Sequence, residues 1–274
     1  MRTTTLASLC DLVNTQTTPT VDSSLLCLGL EHLEPGRLTR IGGGIAADSL
    51  SNKFVFKQND VLYGKLRPYL DKAILADTDG ICTTELLVLR TRDNVDPRFL
   101  TAVIHSKQFI DYAISGISGA QHPRTSWNHI SEFILPEFST PEQTKIADIV
   151  WTIHESQLAC EHTLTEASNL KRAAMRELFT RGLRGEAQKE TEIGLVPESW
   201  EVERLESLCS IRHGYAFDGK YFRSNGDYIL LTPGHFNEEG GFRDQLGKTK
   251  YYIGDIPDGY LLQQRDLLIA MTEQ

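Results

Sequence analysis

One long helical stretch, residues 139–185, constrains this chain more than any other feature. Thr140 is suited to the N-cap, Pro141 to the first helical position, and Gln143 to the acceptor position of a capping box. Arg181 and the glycine after it provide a basic last turn and a residue that tolerates the left-handed conformation. Some 40 residues at a rise of ~1.5 Å each predict a rod of roughly 60 Å, several times the length of an average globular helix.

Apolar and small residues recur along this stretch in alternating steps of three and four. Such spacing predicts a seam that pairs with a second helix. The residues that we assign to helix pairing are Ile146, Ile149, Ile153, Cys160, Leu164, Ala167, Leu170 and Ala174. The same spacing also fits a long helix that lies across the core of its own domain, and spacing alone does not separate the two interpretations.

The composition is that of a globular protein, because 40% of the 274 residues are hydrophobic and 8% are aromatic. No run of 18 apolar residues is present and the N-terminus lacks the apolar segment of a signal peptide, so we expect a cytoplasmic protein without a membrane anchor. Five cysteines without a CxxC spacing argue against a disulfide framework or a zinc site.

The net charge of −9 argues against bulk electrostatic attraction to nucleic acid. The charge is unevenly spread, and residues 61–130 form the least acidic segment. Any DNA-facing surface is therefore expected within that segment rather than on the long helix.

Two groups of side chains in this segment suit contact with DNA. Lys65, Arg67 and Tyr69 stand at alternate positions of an expected strand, so we predict that they share one face and contact phosphates and bases. The second group lies on a polar, glycine-rich loop and consists of side chains that read base edges: Gln121, His122, Arg124 and Asn128. A solvated strand face and a plain surface connection are the alternative interpretations.

The sequence around these groups predicts a mixture of strands and helices. Alternating residues on either side of a turn at residues 58–60 predict two strands, and residues 81–89 predict further strand structure. Residues 97–114 have the apolar spacing of one or two helices.

The order of several short motifs repeats after residue 200. Residues 205–209 (LESLC) echo residues 6–10 (LASLC), residues 227–235 match the strand that ends at His32, and residues 264–269 echo residues 58–63. Because the order is kept, the sequence predicts a tandem repeat with the long helix between its two copies. The second copy reaches only the equivalent of about residue 68 of the first.

With these motifs in view, the chain resembles the specificity subunit of Type I restriction-modification systems. The strings that carry the resemblance are, in chain order, residues 63–70 (YGKLRPYL), 83–86 (TTEL), 118–121 (SGAQ), Pro136, 141–143 (PEQ), 178–185 (LFTRGLRG) and 194–200 (GLVPESW). Each string alone is common, and their order makes the resemblance specific.

The resemblance implies an α/β (α+β) fold in which a mixed α/β target recognition domain is followed by a long coiled-coil-type spacer helix and the start of a second, repeated recognition domain. We therefore expect a first target recognition domain at 1–138, the spacer helix at 139–185, a linker at 186–200 and an incomplete second domain at 201–274. In the family pattern a further helix follows the second domain and pairs with the first helix. Because the sequence ends before that helix, three interpretations remain. The chain is a fragment, its gene is broken, or it is a half-subunit that takes this helix from a second copy.

The resemblance also implies a non-catalytic subunit without a cofactor, which reads one half of a bipartite DNA target. Its implied partners are double-stranded DNA, adenine-methylating modification subunits and restriction subunits. The residues agree with a non-enzyme, since the sequence contains no methyltransferase glycine motif, P-loop, HExxH or nuclease-type Glu-x-Lys motif. The alternatives are a helical scaffold that does not bind DNA and an inactive remnant that only binds modification subunits.

Overall fold

The computed structural model describes residues 2–20, 24–46, 51–119, 121–237, 240–245 and 247–271. The chain divides into two units, Met1–Leu178 and Phe179–Gln274. The strands of the first unit are β1 (Thr3–Thr5), β2 (Cys10–Val13), β3 (Gln16–Thr17), β4 (Leu26–Leu28), β5 (Gly44–Ile45), β6 (Lys53–Phe56), β7 (Val61–Gly64), β8 (Ala73–Leu75), β9 (Gly80–Cys82), β10 (Leu86–Thr91) and β11 (Ile134–Pro136). Its helices are α1 (Leu6–Leu9), α2 (Pro97–Ile104), α3 (Lys107–Ser115), α4 (Trp127–Ile130) and the long α5 (Thr140–Arg181), whose last residues belong to the second unit.

A four-stranded antiparallel sheet in the order β2-β10-β7-β8 lies at the centre of the first unit. Its side chains alternate between two hydrophobic clusters, as the two-residue period of a strand requires. In β10, Leu87 and Leu89 join the cluster that contains residues of α2 and α3, whereas Leu86 and Val88 join the cluster shared with β4, β6 and β9. Both faces are therefore buried, which explains the continuous apolar run of this strand.

The second sheet of the first unit has the order β3-β6-β9-β4-β5, and only its β4–β9 pair is parallel. The two strands predicted on either side of the turn at residues 58–60 are confirmed as β6 and β7, but they belong to different sheets. The predicted helical stretch 97–114 forms two helices. The break arises because the Ser106 side chain accepts a hydrogen bond from the Phe109 N–H and thereby caps a new helix.

The predicted long helix is confirmed as α5, but its predicted capping box is wrong. Helix α5 begins at Thr140, and the Glu142 carboxylate reaches back to the backbone N–H (2.8 Å) and hydroxyl (2.7 Å) of Ser139. Gln143 is instead buried, where its amide accepts from the Asp96 N–H and donates to the Phe138 carbonyl. The cap is thus formed one residue earlier, because Glu142 rather than Gln143 faces the free N–H groups.

The strands of the second unit are β12 (Gln188–Thr191), β13 (Gly194–Pro197), β14 (Phe222–Arg223), β15 (Tyr228–Leu230) and β16 (Lys250–Tyr252), and its α-helix is α6 (Leu205–Leu208). β12 and β13 form an antiparallel hairpin, and β14-β16-β15 form an antiparallel sheet.

The repeat predicted from the sequence recurs in local structure. The thiol of Cys10 donates to the carbonyl oxygen four residues before it (3.6 Å), and the thiol of Cys209 does the same (3.5 Å). Nδ1 of His32 accepts the backbone N–H three residues before it (3.0 Å), as does Nδ1 of His235 (3.1 Å). Equivalent residues of the two units therefore make equivalent local hydrogen bonds.

A third repeated feature is a tight turn that ends in an aspartate. The carboxylates of Asp60 and Asp266 each accept a backbone N–H three residues earlier at 2.8 Å. The residue before each aspartate has a positive φ, 69° at Asn59 and 83° at Arg265. Burial differs between the units, since Leu6 of α1 is fully buried while its counterpart Leu205 is 60% exposed. Local structure repeats here, whereas core packing does not.

Asp60 also allows a stability prediction, because its carboxylate is 2% exposed and accepts two hydrogen bonds from Arg90, at 2.7 and 2.8 Å. Arg90→Met leaves a buried carboxylate without its cation, so we expect the free energy of unfolding to fall by about 2–3 kcal/mol. The matched control Arg92→Met removes an exposed pair with Asp11 and should cost no more than about 1 kcal/mol. Urea unfolding of both variants measures the difference, and equal losses would contradict the role given to the Asp60–Arg90 pair.

Candidate nucleic-acid interface

The first group of predicted DNA-contacting residues lies on a turn rather than on a strand. β7 ends at Gly64, Arg67 has a left-handed backbone with φ of 52°, and Pro68–Leu70 form a short 3-10 helix. The prediction that Lys65, Arg67 and Tyr69 share a strand face is therefore wrong. Pro68 cannot donate a strand hydrogen bond, and the left-handed backbone of Arg67 before it turns the chain away from the strand direction.

This turn is held in place from its C-terminal end. Asp71 also has a left-handed backbone, with φ of 50°, and its carboxylate lies 2.7 Å from Nδ1 of His105. The other ring nitrogen of His105 lies 3.0 Å from the carbonyl oxygen of Ala73 in β8. Left-handed residues other than glycine persist only where the surrounding structure fixes them. The turn therefore presents Arg67 and Tyr69 from a defined backbone.

The second predicted group lies on a loop that is joined directly to this turn. The Arg67 N–H donates to the Pro123 carbonyl (2.7 Å), and the Thr125 N–H donates to the Lys65 carbonyl (3.0 Å). Within the loop, Ser118 and Arg124 exchange two backbone hydrogen bonds of 2.9 Å each. The two predicted groups, which are more than 50 residues apart at their nearest in sequence, thus form one surface. We call it the 65/124 surface and define it as residues 65–69, 118–119 and 121–128.

Most of the predicted side chains on the 65/124 surface are exposed, and the exposed ones are Arg67, Tyr69, Gln121, His122 and Asn128. Lys65 and Arg124 are half-buried. Asn128 stands on α4, where the Ser126 side chain caps the helix by accepting from the His129 N–H. Residue 120, within the SGAQ string, lies outside the described residues.

Glu85 is the functional candidate that the sequence analysis missed. Its two carboxylate oxygens accept hydrogen bonds from Nε and Nη2 of Arg124, both at 3.0 Å. Hydrogen bonds from Arg124, helped by the nearby charges of Lys65 and His122, hold the pKa of the Glu85 carboxyl below its ordinary value. The only sequence signal was its place in the TTEL string just before β10, because a pair of residues 39 positions apart cannot be found from spacing.

Helix α5 has one face that packs on its own unit and another that is exposed. Over its first half, one face packs on its own unit, where His154 is buried, the Trp151 indole N–H donates to the Arg98 carbonyl (3.3 Å) and Glu161 pairs with Arg37 (2.5 Å). Of the predicted pairing residues, Ile146 is half-buried against the hydrophobic core of the unit. The others are exposed, and Ile149, Ile153, Leu164 and Leu170 expose between 54% and 70% of their surface. We call these exposed residues the α5 stripe: Ile149, Ile153, Cys160, Leu164, Ala167, Leu170 and Ala174.

The packing interpretation of the long helix holds for its first half, and pairing with a second helix stays a prediction. Residues up to 161 contact their own unit, whereas residues 162–178 are exposed on all sides within it. Exposed leucines and isoleucines at helical spacing are typical of a surface that pairs with another helix. Among the residues that the structure describes, no helix is both long enough and apolar enough to cross a membrane.

Comparison with known proteins yields Type I specificity subunits. No protein-family model matches the chain. It is 30% identical over 96 residues to the EcoDI Type I restriction enzyme specificity subunit of Escherichia coli, a match that covers 35% of this chain and 21% of that protein. It is 28% identical over 202 residues to the MjaVIII specificity subunit of Methanocaldococcus jannaschii, covering 70% of this chain and 45% of that protein.

The fold is similar to a crystal structure of a Type I restriction-modification S subunit from M. genitalium. The TM-score is 0.51 at 15% identity, and the match covers 89% of this chain and 62% of that one. The matched segments amount to less than half of the length of either curated relative. These findings confirm the resemblance drawn from the motifs, and they confirm a mixed helix-and-sheet fold with a long helix.

Proposed function

We propose that this chain, similar in sequence and fold to Type I specificity subunits, reads part of a DNA target through its 65/124 surface. It acts in the cytoplasm as a non-catalytic subunit of a Type I complex. It directs adenine-methylating modification subunits, and restriction subunits when these are present, to one half of a bipartite sequence. The observation that carries this proposal is the joining of the 65–69 turn and the 118–128 loop by direct backbone hydrogen bonds.

The chemistry of the 65/124 surface supports DNA rather than protein as its ligand. Lys65 and Arg67 supply cations for phosphate oxygens, while Gln121, Asn128 and Arg124 supply amide and guanidinium groups of the kind that read base edges. All of these residues belong to the segment that is least acidic in an otherwise acidic chain. Local positive charge of this kind is compatible with an acidic whole, because salt screens charges more than about 10 Å away at 0.1 M.

The α5 stripe supplies the second part of the proposal. In a bipartite reader, two recognition domains must be held at a fixed distance, and a helix of 42 residues at ~1.5 Å each spans roughly 60 Å. That length corresponds to about 18 base pairs at ~3.4 Å each. The stripe pairs with a second helix, which another copy of the chain can supply.

A helical scaffold without DNA binding is the second candidate function. The exposed α5 stripe favours it, because an exposed apolar stripe suits assembly with protein partners, and the net charge of −9 opposes attraction to DNA. Fluorescence anisotropy with duplex DNA of random sequence separates the two candidates. A DNA reader should bind at 50 mM salt and lose affinity as the salt concentration rises. The slope of log affinity against log salt should be about −1.8 or steeper, since −1.8 is the value for two phosphate contacts. A scaffold should show no binding even at 50 mM salt, and that result would overturn the proposal.

A further inference from the structure

Arg124 presents an unusual set of hydrogen-bond donors on the 65/124 surface. A guanidinium carries five N–H donors, one on Nε and two on each Nη atom. The Nε donor and one Nη2 donor are taken by the two oxygens of Glu85, and one Nη1 donor is taken by the His122 carbonyl at 3.2 Å. Within the part of the chain that the structure describes, two donors therefore remain, one on Nη1 and one on Nη2, and 40% of the side chain is exposed.

The Glu85 carboxylate fixes the direction of these remaining donors. Two parallel hydrogen bonds to one carboxylate hold the plane of the guanidinium, which a single bond would let rotate. Glu85 is itself fixed, because its backbone carbonyl accepts from the Lys65 N–H (3.1 Å) just before β10 begins. The backbone of Arg124 is fixed by its paired hydrogen bonds with Ser118. Arg124 is thus pre-organised before any ligand arrives.

We propose that Arg124 reads a guanine in the DNA target and that Glu85 is the positioning residue that aims it. This inference rests on the proposed DNA-reading function and deepens it. In the major groove, guanine presents two adjacent acceptors, N7 and O6, and these match two adjacent donors. Adenine presents N7 beside an amino donor, so one of the two Arg124 donors would face another donor.

The near-zero net charge of the Glu85–Arg124 pair favours contact with a base rather than with a phosphate. Phosphate contacts gain their affinity from net positive charge. Arg124 lies within 3.0 Å of a carboxylate that is ionised at neutral pH, so the Glu85–Arg124 pair carries almost no net charge. A base edge requires directed donors rather than net charge, and the pair supplies them. Lys65 and Arg67, in contrast, suit the phosphates.

The test uses the full chain and duplexes selected by it from a random library. Each guanine in the selected sequence is replaced in turn by 7-deazaguanine, which lacks the N7 acceptor but still pairs with cytosine. At one guanine, the replacement should weaken binding of the unchanged protein by about tenfold, within the range for a bidentate contact. The same replacement should have no effect on binding by Arg124→Ala, which has no donor for N7.

The variant Glu85→Gln tests whether Glu85 acts by positioning Arg124 rather than by contacting DNA. It keeps the shape of the side chain but weakens the pair, so the 7-deazaguanine penalty should shrink while the fold, followed by circular dichroism, stays unchanged. The double variant Glu85→Gln with Arg124→Ala should keep the salt slope of the unchanged protein, because the pair that it removes carries almost no net charge.

Three results would overturn the inference without touching the proposed function. The first is a selected sequence in which no 7-deazaguanine replacement weakens binding, and the second is a penalty that persists unchanged in Arg124→Ala. The third is a shallower salt slope in the double variant Glu85→Gln with Arg124→Ala, which would assign Arg124 to a phosphate. Absence of any duplex binding would instead refute the proposed function itself.

Discussion

Replacement of both Lys65 and Arg67 by alanine is expected to weaken binding to duplex DNA of any sequence by about 30-fold at 0.15 M salt. Each phosphate contact contributes about 0.9 to the slope of log affinity against log salt, so the double variant should also lower the slope by about 1.8. The reason is structural. Arg67 is exposed on a turn whose backbone is fixed at Pro68 and Asp71, and Lys65 is half-buried beside it.

The matched control removes two cations elsewhere on the same unit. In Arg92→Ala with Lys107→Ala, the lost charges are exposed and each already pairs with a carboxylate, Asp11 or Asp111. This control should bind DNA with unchanged slope and affinity. If both double variants lost affinity equally, the effect would come from net charge alone and the 65/124 surface would lose its assignment.

The second large effect is expected at the α5 stripe. Leu164→Glu with Leu170→Glu places two carboxylates where the stripe should meet another helix. Each leucine buried in such a seam contributes about 1.5–3 kcal/mol, so the double variant should weaken assembly by more than about 100-fold. Sedimentation equilibrium measures this directly, because assembly of the unchanged chain raises the mass above the 30.8 kDa of one copy.

Thr165→Glu with Asn169→Glu is the control for this experiment. These two exposed residues lie on the opposite side of α5, so they add the same charges without entering the stripe. The control should assemble as the unchanged chain does. Equal assembly by the leucine variant and the unchanged chain would show that the stripe pairs with nothing, and equal loss in both variants would point to charge rather than packing.

Features that depend on neighbouring residues could be predicted from the sequence. The sequence predicts helix α5 from its apolar period and the proline near its start, β7 from alternating residues after a turn, and β10 within the strand structure expected at residues 81–89. The cap of α5 was misplaced by one residue, because both Glu142 and Gln143 can reach back and only tertiary packing decides. Gln143 is buried against Asp96 and Phe138, which leaves Glu142 to act on Ser139.

Features that depend on distant residues could not be predicted. The strands β6 and β7 are adjacent in sequence, yet they enter different sheets because each finds its partners elsewhere. The candidate site shows the same limit. Its residue types and their two segments were predicted, but neither the contact between Arg67 and Pro123 nor the pair of Arg124 with Glu85 leaves a trace in the sequence. A strand face was expected where Pro68 imposes a turn.

The repeat illustrates why local motifs were more reliable than packing. The sequence matches around Cys209, His235 and Asp266 correspond to hydrogen bonds that close within three or four residues. Such bonds form wherever the short motif occurs. The burial of Leu6, in contrast, requires residues from β10, α2 and α3, and the motif alone cannot provide them.

Mapping of modified adenines tests the central claim most directly. The chain is co-expressed with a cognate Type I modification subunit in a methylation-free host, and modified adenines are located across the genome. The account predicts a defined split motif that is lost when Lys65 and Arg67 are both alanine. If the modification subunit co-purified with the chain but the genome carried no motif, the chain would be a scaffold rather than a DNA reader.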